Sequence, residues 1–76
     1  MRKLDPVQMK NNMVSFRTRK GMTQDDVALV LNVHPKTVCR WENEPIKVSL
    51  DALAAMANIY GCEVQDFFMD RMSTKK

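Results

Sequence analysis

Cysteine, histidine and glycine are scarce in this sequence, with two, one and two copies among 76 residues. Cys39 and Cys62 have no metal-like spacing and His34 belongs to no Cys/His cluster, so neither a metal nor another cofactor is expected. Small secreted domains carry denser cysteine frameworks, which points to reduced thiols in a cytosol. His34 has no sequence partner for acid–base or nucleophilic work, so no catalytic residues and no enzyme activity are expected. Long apolar runs are absent as well. Nothing approaches the roughly 18 residues needed to span a membrane, and MRKLDPVQMKNN has no apolar stretch behind its basic residues, as a signal peptide would. Val, Ile and Thr nowhere alternate with period two, which excludes a convincing strand. With no internal repeat and no linker, residues 1–76 read as one domain, and only Ser73-Thr74-Lys75-Lys76 looks like a loose tail.

What is present is a globular composition, 45% hydrophobic, with a mild basic excess of +3. A chain of this length buries only about 60% of the surface its unfolded form exposes, so modest stability is expected. The charge is unevenly placed. Residues 1–47 hold nine basic and five acidic side chains, net +4, and residues 48–76 hold three and four, net −1. The first part is therefore the one suited to a polyanion, if these charges do more than keep the domain soluble.

Helix punctuation recurs along the chain. Asp5-Pro6-Val7-Gln8 sets an N-cap, a proline at the first helical position and a Gln three after the cap. Met9, Met13 and Phe16 follow at helical spacing, and Gly21 ends that helix. Thr23 caps a second helix with Asp25 and Asp26 in its first turn, and Val27, Ala28 and Leu31 form its apolar stripe. After the Asn32-Val33 turn, Ser49 caps a helix carrying Leu50, Leu53, Met56, Ala57 and Tyr60, closed by Gly61. A shorter helix is expected from about Val64 to Met69, anchored by Phe67 and Phe68.

Between these lies VHPKTVCRWENE, residues 33–44. A helix that starts at Pro35 loses nothing by the missing N–H, since no intrahelical partner exists there. His34 becomes its N-cap, and Pro45 biases Glu44 away from helical geometry, so the helix should end near Asn43. Val38 and Trp41 then face inward, while Pro35, Lys36, Cys39, Arg40 and Asn43 share the opposite, basic face. Two short helices joined by a tight turn, the second with such a face, describe a helix-turn-helix. Its second helix is of a size to enter the DNA major groove.

The same residues resemble the lambda-repressor-like (Cro/cI-type, or xenobiotic response element) helix-turn-helix family. Phe16-Arg17-Thr18-Arg19-Lys20-Gly21-Met22-Thr23-Gln24 is similar to its "LR…KGLTQ", Val27-Ala28 to its "LA", and Val33 through Glu42 to "V-x-x-x-T-[IV]-x-x-[WLI]-E". Ser49-Leu50 through Phe68 matches "SLxxLxxLAxxLGVxxxxLF", so the likeness covers about residues 9–68. It implies an all-α fold, a compact five-helix bundle, acting on double-stranded DNA in the cytoplasm or nucleoid of a bacterium or phage-infected cell. By position it implies base contacts from Pro35, Lys36, Cys39 and Arg40, and phosphate contacts from Gln24, Arg19, Asn43 and Lys47. Arg40 suits a bidentate contact to guanine, Lys36 a base or a phosphate, and Cys39 a thymine methyl or mere filling. Gln24 would also brace the recognition helix, and Arg17 and Glu42 would form a structural ion pair. Trp41 belongs to the core. Glu44-Pro45 and Val48-Ser49 depart from the family's Gly and Pro at those slots, so a rerouted loop is expected there. A homodimer on a pseudo-palindrome would draw on Ile59, Phe68, Met69 and Met72, unless these only complete the core. The expected role is a DNA-binding regulator, a repressor. The alternative is an antitoxin-like or regulator-binding protein-interaction module on the same fold.

Overall fold

A computed structural model describes residues 5–69 of the chain. Asp5 starts the first helix, α1 (Pro6–Arg19), its carboxylate accepting from the N–H groups of Val7 and Gln8. Thr23 and Asp26 form a reciprocal capping box at the head of α2 (Gln24–Leu31), so two otherwise unpaired donors are satisfied. That helix ends on Asn32 in the left-handed region at φ 58°, a conformation Asn tolerates better than most side chains. α3 (Pro35–Asn43) begins and ends where Pro35 and Pro45 require. α4 (Leu50–Tyr60) is capped by Ser49 and closed by Gly61 at φ 75°.

Two single 3₁₀ turns complete the order. Pro45–Lys47 links α3 to α4, with Pro45 buried against α1, and this turn is the path taken at the slots that depart from the family's pattern. Val64–Phe68 ends the described chain. The fifth helix expected at about Val64 to Met69 is therefore 3₁₀ and five residues long. The reason is length, since so short a segment gives an α-helix little to propagate. Its last carbonyls, which no intrahelical donor would reach, are taken up from α1. The Asn12 side chain donates to the carbonyls of Phe67 at 2.9 Å and Met69 at 2.7 Å, with a long contact to Asp66 at 3.5 Å.

The described residues contain no strand, and the fold is all-α. Met13, Val27, Ala28, Val38, Leu53, Met56, Ala57, Tyr60 and Phe67 make the core, drawn from every helix and the last turn. Phe67 sits among aromatics, edge-on to Phe16 with centroids 5.9 Å apart and to Tyr60 at 6.3 Å. Its neighbour Phe68 points out, 39% exposed, so only one of the two expected anchors is an anchor. Trp41 is half-buried against the core on Val38's side, as its spacing implied. No helix among the described residues is long and apolar enough to cross a membrane.

Candidate nucleic-acid interface

The outward face of α3 is built from its cap upward. His34 Nδ1 accepts from the Lys36 N–H at 3.0 Å, which takes up a donor that the first turn leaves unpaired. Pro35 follows at the first helical position and Val38 is fully buried, which fixes the rotation of the helix. Pro35, Lys36, Arg40 and Asn43 are consequently exposed together along one side, with Cys39 half-buried among them. Cys39 Sγ accepts a hydrogen bond from Asn43 Nδ2 at 3.4 Å, and neither cysteine is in a disulfide.

Beneath that face lies a brace. Glu42, 2% exposed, accepts from Arg17 Nε at 2.7 Å and Arg17 Nη2 at 3.3 Å, a fork that fixes orientation as well as distance. Gln24 Nε2 donates to the same carboxylate at 2.9 Å, and Arg17 Nη1 reaches the Met22 carbonyl at 3.0 Å. One buried carboxylate thus ties the end of α1, the head of α2 and the end of α3 together. Buried charge is tolerable here because its partners surround it. Gln24 stands at the brace position it was expected to occupy, with the exposed Asp25 and Asp26 next to it in the first turn.

The remaining candidates are dispersed. Lys47 is exposed on the 3₁₀ turn after α3, with Glu44 Oε2 3.9 Å away, a loose surface pair worth little. Arg19 lies over the Phe16 ring at 5.2 Å and donates to Ser15 Oγ at 3.4 Å. It lines a surface cavity of about 250 Å³ with Phe16, Lys20, Tyr60 and Gly61, where the ends of α1 and α4 meet and to which no α3 residue contributes. Ile59 is half-buried against the core, Phe68 and Met69 are exposed, and Met72 falls outside the described residues. Leu29 and Val30 on α2, and Ile46 beside Lys47, are further exposed apolar side chains that helical spacing had not singled out, whereas Leu50, grouped by sequence with the apolar residues of α4, is 69% exposed at its first turn.

Two residues with structural consequence escaped the sequence pattern. Lys10 Nζ donates to Asn43 Oδ1 at 2.9 Å across 33 positions, and nothing in the spacing announces that contact. Asn12 does carry a signal. It lies beside Met9 and Met13 on an apolar stripe, where a polar side chain must find a partner. No group of three or more His, Cys, Asp or Glu side chains among the described residues could hold a metal ion.

A family model for helix-turn-helix domains, of the Cro/C1 type, matches residues 15–67, well over half of the chain. The protein belongs to this helix-turn-helix family. Searches of curated proteins and of solved structures gave no significant match. The matched span takes in α2, α3 and every member of the brace, and membership carries with it a DNA-binding regulatory function in general terms. Lys10 and Asn12 lie upstream of it.

Proposed function

We propose that this helix-turn-helix protein is a sequence-specific regulator, a repressor, that lays α3 in the major groove of an operator. The observation that carries it is the exposed row of Pro35, Lys36 and Arg40 on a helix whose other side is locked by Glu42. A rigid mounting is what base reading demands, since a bidentate contact is worth about 1–3 kcal/mol of discrimination only when its donors are held in place. Arg40 reads guanine, Lys36 reads a base or holds a phosphate, and Pro35 offers apolar contact alone. Gln24 and Lys47 hold phosphates on either side of α3, and Asn43 closes its end. One such module covers about 600–1,000 Å² of DNA surface, so specificity calls for two copies on half-sites about one helical turn apart. Phe68 and Met69, exposed at the end of the described chain, are offered as part of the contact between copies. The site of action is the cytoplasm, on the chromosome of a bacterium or phage.

Leu29 and Val30, 82% and 60% exposed, favour a second reading in which the fold docks another protein through α2. Selection of bound sequences from random duplexes separates the two. A DNA-reading protein enriches a motif; Arg40→Ala relaxes preference at one base position, whereas Lys47→Ala weakens binding to all sequences alike. Wild-type protein that enriches nothing at moderate salt overturns the proposal in favour of the protein-docking module.

A further inference from the structure

Asn43 stands where a phosphate contact is expected, yet both ends of its amide are engaged within the protein. Its oxygen accepts from Lys10 Nζ at 2.9 Å and its nitrogen donates to Cys39 Sγ at 3.4 Å. Lys10 is exposed, and an ammonium has three donors, so the bond to Asn43 leaves two to be used elsewhere. Asn43 lies on the same side of α3 as Lys36 and Arg40, and Lys10 therefore brings a full positive charge from α1 to the end of the recognition face. We infer that Lys10 is a phosphate-binding residue of the interface and that Asn43 is its positioning residue. A neutral amide neutralises no phosphate, whereas a lysine releases the counterions that one phosphate condenses. This assignment also extends the footprint along α1 to Lys10, which lies outside the matched family span. It rests on the DNA-binding reading above.

A plainer role is available to Lys10. A cation near the last turn of α3 complements the helix dipole and tethers α1 to α3 without touching DNA. Two substitutions separate the roles. Lys10→Gln retains a donor for Asn43 but no charge, and Lys10→Arg retains both. Affinity for a fixed duplex of mixed sequence is measured from about 50 to about 200 mM salt, with urea unfolding of each variant alongside. If Lys10 holds a phosphate, Lys10→Gln is shallower than wild type by about 0.9 in log–log slope, so across that four-fold range wild type loses about 3.5-fold more affinity. Lys10→Arg keeps the wild-type slope, and unfolding is unchanged in both. A Lys10→Gln protein that retains the wild-type slope overturns the assignment while leaving DNA binding intact. Wild-type protein with no salt-dependent duplex binding overturns the functional reading, and the role of Lys10 falls with it.

Discussion

Truncating Glu42 to Ala removes three hydrogen bonds at once, from Arg17 Nε, Arg17 Nη2 and Gln24 Nε2. The Arg17 side chain is only 12% exposed, and of the partners described for it the Met22 carbonyl at 3.0 Å would remain. Breaking a buried pair from one side costs about 3–5 kcal/mol, because the surviving charge keeps its desolvation penalty. The Met22 bond and the residual solvent access of Arg17 place Glu42→Ala near the lower end, at about 3 kcal/mol. A 76-residue domain has roughly 4–11 kcal/mol in all, so a large share of the total depends on this carboxylate. The corresponding fall in Tm is about 12–24 °C. Paired replacement by Arg17→Met and Glu42→Leu removes both charges and fills the space, and should cost clearly less than the two single changes added together. Urea unfolding followed by far-ultraviolet circular dichroism measures each variant. A Glu42→Ala protein within about 1 kcal/mol of wild type, or a double variant equal to the sum of the singles, would refute the brace as described.

Asn12→Ala leaves the carbonyls of Phe67 and Met69 without the amide that holds them, and should lower stability by about 2–3 kcal/mol in the same urea assay. An unchanged midpoint would mean that Phe67 burial alone secures the last turn. Tyr60 supplies a pH dependence, since burial first, and the Glu42 carboxylate second, push its phenol up to about 12 from an ordinary 10. The folded state then holds a proton that the unfolded state releases, so stability present below pH 10 declines as pH rises toward 12, by at most about 1.4 kcal/mol per unit. Tyr60→Phe should flatten that part of the profile. Because the hydroxyl has no hydrogen-bond partner among the described residues, the substitution should cost little at neutral pH. Equal slopes for the two proteins above pH 10 would sink the assignment.

Helix limits were legible because their signals are local. Asp5, Thr23, His34 and Ser49 each accept from a backbone N–H two or three residues ahead, and Gly61 needs only its own positive φ. The rotation of α3 was legible for the same reason, as Pro35 sets its start and Val38 and Trp41 mark its inner side. The pairing of Arg17 with Glu42 came from family resemblance, and the structure places them 2.7 Å apart. Spacing did not distinguish Phe67 from Phe68, adjacent residues of one turn. Their fates depend on how Asn12 orients that turn against α1. Nor did spacing announce the surroundings of Arg19, which the end of α1 carries onto Phe16 and toward Gly61.

By itself the sequence determined four capped helices, the stripe each one buries and the charged row on α3, since these follow from hydrogen bonds and periodicities spanning a few residues. Tertiary structure alone decided which side chains meet. Gln24 reaches Glu42 across 18 positions, Lys10 reaches Asn43 across 33, and Asn12 reaches Phe67 across 55. The physical reason is that such contacts depend on the angle and rotation at which whole helices pack, quantities set jointly by the core and written in no single stretch of the chain.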